Sequence, residues 1–313
     1  MTKICLITCY SGTIPDYFPL WLKTIRNNST IDFLFVTDDD TPYDYPDNVK
    51  RLIMPFEQVR ERIIGLFDFK AELNTPYKLC DYKPAYGEAF AEYIKDYDFW
   101  GYCDIDVLWG DMRKFLTEDL LSRYDRILTR GHCSLFRNNP DVNKLYRTLT
   151  ASGCQCYRDV YLTNENRAYD EWAGHLGWGI SEIFRRHGVS QYDEKVYLGP
   201  NFLKARMHFE EDQEKGTEPY IVSCEDGRIF ANYVKNGELH KKEYMYFHFQ
   251  KRVPVIDARI GDNFVFLPPN RVKNLDHEIT LSDIKNWQSI KGIYTFPIRF
   301  RFQQIKKKLF VRK

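Results

Sequence analysis

"FWGYCDIDVLWGD" (residues 99–111) begins as an apolar, aromatic run and then places several acids close together. The run predicts a buried β-strand, and Asp104 and Asp106 follow it two residues apart. Residues i and i+2 of an extended segment point the same way, so both carboxylates can face one point. Two such carboxylates repel each other unless a cation lies between them. The stretch therefore predicts a site for Mn²⁺ or Mg²⁺, which hard oxygen ligands with open coordination positions suit.

A simpler role for some of these acids stays open. Asp106 and Asp111 are also residues that cap helices or close turns. For Asp111, which follows a glycine, we favour the start of the next helix.

The segments around this stretch alternate between strand-like and helix-like patterns. In chain order these are a strand at 3–10, a helix at 16–28, a strand at 31–40, helices at 56–67 and 83–97, and the strand that begins at 99. This order predicts a parallel sheet covered by helices. Ligands of open α/β sheets bind outside the carboxyl ends of the strands, and Asp104 and Asp106 fall at such an end.

The second half of the chain has shorter elements. Two short strands are expected around Gly131, helices at 141–150 and 179–188, and a β-meander at 220–249 with turns at its Asp-Gly and Asn-Gly pairs. We expect a main domain over residues 1–255 and a C-terminal extension over residues 256–313.

Composition and charge exclude several classes of protein. Of the 313 residues, 43% are hydrophobic and 16% aromatic, so the chain can build a core and is not disordered. The net charge of +1 gives no support to a nucleic-acid partner.

The eight cysteines indicate reduced thiols rather than a disulfide framework. No CxxC pairs with another CxxC, which argues against a structural zinc site, although Cys154 and Cys156 leave a minor metal or redox role open. The first residues carry no apolar signal-peptide core, and no run approaches the length of a transmembrane helix. We therefore expect a cytoplasmic protein.

The last fifteen residues, 299–313, carry seven cations and no acid, mixed with apolar side chains. They are either a solvated terminus or an interfacial anchor for an anionic membrane surface. The second alternative predicts peripheral association with the inner face of the cell membrane.

Five motifs together resemble a known group of enzymes. They are KPAYGEAF, YDFWGYCDIDVLWGD, GHCSLFRNN, YDEW and YFHFQKR, within roughly residues 1–255. The series is similar to the DxD-containing bacterial glycosyltransferases of polysaccharide (capsule and O-antigen) gene clusters, a group often labelled only as a domain of unknown function. More distantly it is similar to glycosyltransferase families 8 and 32.

The resemblance implies an α/β fold of the GT-A type, with a Rossmann-like mixed sheet, and a nucleotide-sugar donor, here a UDP-sugar. In such enzymes the two DxD aspartates hold the metal that bridges the donor diphosphate. Asp104 would face the ribose and the metal, and Asp106 would be the firmer metal ligand. His248 resembles the late histidine that serves as a third ligand, and its alternative role is that of a core histidine bonded to backbone.

Further donor-site candidates follow from their positions. Thr8 and Tyr10, in the loop of the first strand, would lie beside the base and ribose, with Asp38 at the end of the second strand bonding the base. Lys83 would reach the diphosphate or the sugar.

Three later residues, His132, Lys251 and Arg252, are further candidates for contact with the donor. His132 would contact the donor sugar or serve the fold, and Lys251 and Arg252 are either phosphate clamps or solvated charges.

The stretch RAYDEWAGHLGWG (167–179) provides the catalytic candidates, Asp170 and Glu171. A carboxylate here would take the acceptor proton in an inverting reaction or lie under the anomeric carbon in a retaining one. Similarity to the retaining family 8 enzymes favours retention. The alternative is that Asp170 caps a helix.

The leading function is the transfer of a hexose-type sugar from a nucleotide-sugar to a lipid-linked or surface-polysaccharide acceptor. One alternative is a sugar-nucleotide nucleotidyltransferase, although TCYSGTIPDYF after the first strand lacks the Gly-rich, basic loop of those enzymes. The other is a catalytically inactive glycan-binding partner in an assembly complex.

Overall fold

A computed structural model describes residues 1–209, 214–256, 259–288 and 297–298. The strands are, in chain order, β1 (Ile4–Tyr10), β2 (Ile31–Thr37), β3 (Val49–Ile53), β4 (Phe99–Cys103), β5 (Val107–Trp109), β6 (Arg126–Arg130), β7 (Cys133–Arg137), β8 (Ala173–Gly174), β9 (Gly177–Trp178), β10 (Gln191–Tyr192), β11 (Tyr197–Leu198), β12 (Ile221–Glu225), β13 (Arg228–Lys235), β14 (Glu238–Tyr244), β15 (Tyr246–His248), β16 (Val255–Ile256), β17 (Phe264–Leu267) and β18 (Arg271–Asn274).

The α-helices of the described residues are short. They are α1 (Phe18–Arg26), α2 (Phe56–Ile64), α3 (Leu79–Tyr82), α4 (Tyr86–Ala89), α5 (Ala91–Ile94), α6 (Met112–Phe115), α7 (Glu118–Arg123), α8 (Pro140–Thr148), α9 (Tyr157–Tyr161), α10 (Ile180–Arg186) and α11 (Leu281–Trp287), with 3₁₀ turns at Pro76–Lys78 and Lys83–Ala85. The helix expected at 83–97 is thus present as three pieces, of which the last two meet at Phe90.

The chain divides into two compact units. Unit 1 comprises Met1–Phe18, Asn28–Ile105 and Leu116–Glu194. Unit 2 comprises Pro19–Asn27, Asp106–Phe115 and the described residues from 195 onward.

Unit 1 is built on a seven-stranded sheet with the order β10-β6-β7-β4-β1-β2-β3. β1, β2, β3 and β4 run parallel, whereas β7 is antiparallel to β4, which makes the sheet mixed. The predicted α/β class with a mixed sheet is confirmed. β3 was not predicted, because only Val49 of its five residues is buried and an edge strand of that kind carries little apolar pattern.

β4 lies inside this sheet and leads to the acids of the opening stretch. All five of its residues are buried, since strands covered on both faces are apolar throughout. Gly87 allows the helical layer to approach β4 closely, because a Cβ there would lie 2.5 Å from the Trp100 ring. The helical layer therefore packs directly on β4 at Trp100.

Unit 2 contains a six-stranded sheet with the order β14-β13-β12-β17-β18-β16. The pairing of β12, β13 and β14 confirms the predicted β-meander. β16 pairs with β18, so the boundary predicted after residue 255 falls within this sheet. The division into residues 1–255 and 256–313 stays a prediction.

A three-stranded sheet, β11-β15-β5, also lies in unit 2. β15 is antiparallel to β5 with His248 opposite Val107, and the Phe249 amide donates to the Asp106 carbonyl at 3.1 Å. Tyr197 stacks on Tyr246 with ring centroids 5.3 Å apart. This pairing fixes His248 beside the residues that follow Asp106.

Arg252 lies in unit 2 and is 0% exposed. Its guanidinium donates to the carbonyls of Asn201, Ala205 and Pro269 at 2.9, 3.1 and 2.8 Å, and also to that of Lys204. The group is neither solvated nor available to a phosphate, so both interpretations of Arg252 from sequence are wrong. Its role is to satisfy carbonyls that no regular secondary structure pairs.

We expect Arg252→Met to destabilise unit 2, because each buried carbonyl that loses its donor costs about 1–3 kcal/mol. A fall of roughly 5–10 °C in Tm follows for a protein of this size. Differential scanning fluorimetry measures it. Arg259→Met, the same change at an exposed arginine of unit 2, is the control and should leave Tm within about 1 °C. Equal Tm values for the two variants would contradict this role.

The basic tail at 299–313 lies outside the described residues. Among the residues that are described, no helix has the length and apolar character needed to cross a bilayer.

Candidate active site

The site of unit 1 begins where β4 ends. Asp104 leaves the sheet with its amide donating to the His132 carbonyl at 3.1 Å. Thr8 lies within β1 rather than in the loop after it, and its buried hydroxyl donates to the Cys103 carbonyl at 3.0 Å. Thr8 thus supports the residue that precedes Asp104.

Lys83 is the polar centre of this site. It is the first residue of a 3₁₀ turn, is followed by Pro84, and is only 6% exposed. Its ammonium donates to Asp104 Oδ1 and to the Gly131 carbonyl, both at 2.6 Å, and lies 3.8 Å from Asp170 Oδ2. Burial opposes the charge, but the neighbouring Asp104 and Asp170 carboxylates outweigh it and hold the pKa of Lys83 well above its usual value.

The predicted catalytic pair, Asp170 and Glu171, lies against Gly131. A Cβ at Gly131 would lie 2.8 Å from Asp170 Oδ2 and even closer to the Glu171 carboxylate, so any larger residue there would displace these carboxylates. Asp170 is 3% exposed, whereas Glu171 is exposed. Burial raises the pKa of the Asp170 carboxyl well above its ordinary value; Lys83 opposes this rise and Glu171 adds to it.

The backbone of Asp170 is held by two buried side chains. Its carbonyl accepts hydrogen bonds from Tyr102 Oη and Arg126 Nη2, both at 3.3 Å. Helix α10 begins after Gly179, so the alternative that Asp170 caps a helix is wrong. Asp170 and Lys83 instead share one buried charge cluster with Asp104.

Unit 2 contributes a second pair of predicted residues. His248 Nε2 lies 3.4 Å from Asp106 Oδ1, and both side chains are half-buried. A carboxylate and an imidazole are ligands that Mn²⁺ accepts, so the donors present fit such an ion. Asp111 accepts from the Lys114 amide at 3.3 Å, which confirms that it begins α6.

The loops after β1 and β2 are joined by a direct hydrogen bond. The Gly12 amide donates to Asp38 Oδ1 at 2.8 Å, and Gly12 has a φ of +101°, which favours glycine. Tyr10 Oη donates to the Thr13 carbonyl at 3.2 Å. Tyr10 is the last residue of β1 rather than part of the loop, and the assignment of Tyr10 and Asp38 to the base and ribose stays a prediction.

His132 and Lys251 are the remaining donor-site candidates. His132 is half-buried and contributes its carbonyl to Asp104, and Lys251 is exposed in unit 2. Their assignment to the donor stays a prediction.

The cysteines serve packing. All eight are free thiols, as predicted. Burial raises the pKa of Cys103 to about 12, so its thiolate is not accessible at neutral pH.

Sequence reasoning missed Arg126 and Asp81 as parts of this site. Arg126 and Asp81 are buried charges within apolar runs, RIL and LCDY, and that unusual context was the available signal.

Solved structures similar to this chain include three glycosyltransferase structures. The galactosyltransferase LgtC in complex with donor and acceptor sugar analogs is 13% identical, with 63% of this chain and 75% of that chain covered and a TM-score of 0.36. An active-site mutant of LgtC is 13% identical, with 68% and 81% covered and a TM-score of 0.38. The apo-form glycosyltransferase GlyE of Streptococcus pneumoniae TIGR4 is 11% identical, with 63% and 46% covered and a TM-score of 0.31.

A search of curated proteins finds no similar sequence. A family profile, in contrast, matches residues 6–275, which is most of the chain. The chain therefore belongs to the family described as "Family of unknown function (DUF6625)".

Proposed function

We propose that the protein is a metal-dependent glycosyltransferase that moves a hexose-type sugar from a UDP-sugar to a lipid-linked or surface-polysaccharide acceptor, with retention of configuration. The buried cluster at the end of β4 carries this proposal. There Lys83 donates to Asp104 at 2.6 Å and lies 3.8 Å from Asp170. A carboxylate for a metal, a cation for a phosphate and a carboxyl for the sugar are thus close together.

We assign the metal to Asp104, Asp106 and His248. Asp104 and Asp106 are two residues apart along the chain, which limits their Cα atoms to about 7 Å. Two carboxylates and one imidazole suit Mn²⁺ or Mg²⁺. When bound, the ion supplies Lewis-acid charge for the diphosphate leaving group.

The remaining donor contacts belong to unit 1 in this proposal. Lys83 adds a positive charge for the diphosphate or the sugar. Its raised pKa keeps the ammonium protonated, and its hydrogen bonds to Asp104 and the Gly131 carbonyl fix its position. Tyr10 and Asp38 would contact the base and ribose, and Thr8 would support them from within β1.

Asp170 and Glu171 would act on the sugar and its acceptor. Their carboxylates lie against the α-carbon of Gly131, in the space that a side chain at this position would otherwise take. Asp170 has the perturbed pKa that a proton-transferring group needs, and Glu171 is exposed to an incoming acceptor.

Calorimetric titration with UDP tests the metal assignment. UDP should bind in the presence of Mn²⁺ and lose at least about tenfold in affinity when EDTA replaces the metal. Asp106→Ala should show the same loss with Mn²⁺ present. Asp111→Ala removes a nearby acid that only begins a helix, so this control should bind UDP as the wild type does.

Equal UDP binding with Mn²⁺ and with EDTA would contradict the metal assignment.

Release of UDP from UDP-glucose, UDP-galactose or UDP-N-acetylglucosamine then tests the enzymatic assignment. UDP binding without turnover of any of these donors would favour the inactive glycan-binding alternative.

A further inference from the structure

The 165–171 segment, which carries Asp170 and Glu171, is tied to a side chain that no step above uses. Asp81 is 0% exposed and lies in α3, two residues before Lys83. Its Oδ2 accepts from the Arg167 amide and its Oδ1 from the Tyr169 amide, both at 2.9 Å. One carboxylate thus holds alternate amides of the segment immediately before Asp170.

Lys78 completes this connection. It is 1% exposed, and its ammonium donates to Asp81 Oδ2 at 2.8 Å, to the Glu165 carbonyl at 2.6 Å and to the Val160 carbonyl at 2.9 Å. Asp81 thus binds two amides of the 165–171 segment, and Lys78 binds the Glu165 carbonyl of the same segment. A buried ion pair is weak evidence for stability, because desolvation offsets the attraction between its charges.

Ala168 lies between the two amides that Asp81 holds, and it has a φ of +51°. The left-handed conformation costs a residue other than glycine about 1–2 kcal/mol. The two amides that donate to Asp81 belong to the neighbours of Ala168, so these hydrogen bonds hold the strained residue on both sides. The chain turns at Ala168, and two residues later it places Asp170 against Gly131.

We propose that Asp81 is a positioning residue that, with Lys78, maintains the strained turn at Ala168 and so places Asp170 and Glu171 for transfer. This inference rests on the proposed function. A displacement of about 1 Å at a reacting group costs roughly 100-fold in rate. The hydrogen bonds described for the Lys83 ammonium go to Asp104 and to the Gly131 carbonyl and not to the 165–171 segment, so donor binding and turnover should respond differently.

The test compares Asp81→Asn with Asp125→Asn. The control makes the same change at an ion-paired acid of unit 1, whose partner Arg137 lies at 2.8 Å and which has no hydrogen bond to the 165–171 segment among the described contacts. Asp81→Asn should lower kcat for UDP release from a UDP-sugar by about 100-fold, with UDP affinity within about threefold of wild type. Asp125→Asn should lower Tm while kcat stays within about twofold.

A second variant tests whether the strained turn at Ala168 causes the loss of turnover. Ala168→Gly removes the penalty of the positive φ, so it should restore kcat at least tenfold when added to Asp81→Asn. A purely structural Asp81 predicts no such rescue. An unchanged kcat in Asp81→Asn, or a parallel loss of UDP affinity, overturns the proposal.

Amide hydrogen exchange provides a measurement that requires neither turnover nor a stable variant. In the wild type, the amides of Arg167 and Tyr169 should exchange at least tenfold more slowly than that of Ala168. Equal exchange would overturn the positioning role. Failure of the wild type to bind UDP would contradict the proposed function, and the exchange measurement would still decide whether Asp81 holds the turn.

Discussion

Lys83→Met is expected to reduce turnover of a UDP-sugar by at least about 100-fold, the loss typical of removing one preorganised electrostatic contact. The ammonium of Lys83 donates to Asp104 and to the Gly131 carbonyl at 2.6 Å each and lies 3.8 Å from Asp170. Methionine keeps most of the length of the side chain and removes the ammonium with its charge and its N–H donors. Initial rates of UDP release at saturating donor measure the effect.

The Tm of Lys83→Met shows how much the loss of this charge destabilises the fold. Without Lys83, the buried Asp170 and the partly buried Asp104 lose their counter-charge, so the free energy of unfolding should fall by about 3–5 kcal/mol. Adding Asp104→Asn removes one of these carboxylates and should recover part of the lost Tm without recovering turnover. An unchanged Tm in the double variant would contradict this balance of charge; its turnover decides nothing, because Asp104 is itself a proposed metal ligand.

The strand series was predictable from sequence because each strand of the buried sheet is an almost continuous apolar run. β1, β2 and β4 have that pattern, and their order leads directly to the acids at 104 and 106. β3 was not predictable in the same way, since its exposed Lys50 and half-buried Arg51 interrupt the apolar pattern of an edge strand.

The site was predictable only in part, because the sequence shows which residues carry charge but not which backbone groups they meet. Lys83 was assigned to the donor from its position, and the structure adds that it meets the Gly131 carbonyl. Arg252 illustrates the opposite case. Next to Lys251 it resembles a phosphate clamp, but its guanidinium pairs with carbonyls of residues about 50 positions earlier. Such long-range pairing leaves no local pattern in the sequence.

Asp170→Asn is the second variant with a large expected effect. It should lower kcat by at least about 100-fold and leave UDP affinity nearly unchanged, because Asp170 lies beside Gly131 and acts on the sugar or acceptor rather than on the nucleotide. Glu171→Gln tests the neighbouring exposed carboxylate in the same assays. If Asp170→Asn keeps the wild-type kcat, the catalytic assignment of Asp170 is wrong.

The raised pKa of Asp170 also predicts how stability depends on pH. Burial raises the pKa of this carboxyl in the folded protein, so between the unfolded and folded pKa values the folded state binds the proton more tightly. Wild-type stability should therefore fall as pH rises through that interval, since the folded chain must then ionise a buried acid. Asparagine does not ionise, so Tm of Asp170→Asn relative to wild type should rise with pH.

Thermal melts in metal-free buffer from pH 4.5 to 8.5 measure this difference without any assay of activity. Asp47→Asn, the same change at an exposed aspartate of unit 1, provides the control. Its Tm difference from wild type should stay constant across the range. A constant difference for Asp170→Asn as well would mean that Asp170 is already ionised in the folded protein. In that case Lys83, at 3.8 Å, would stabilise the carboxylate more strongly than burial penalises it.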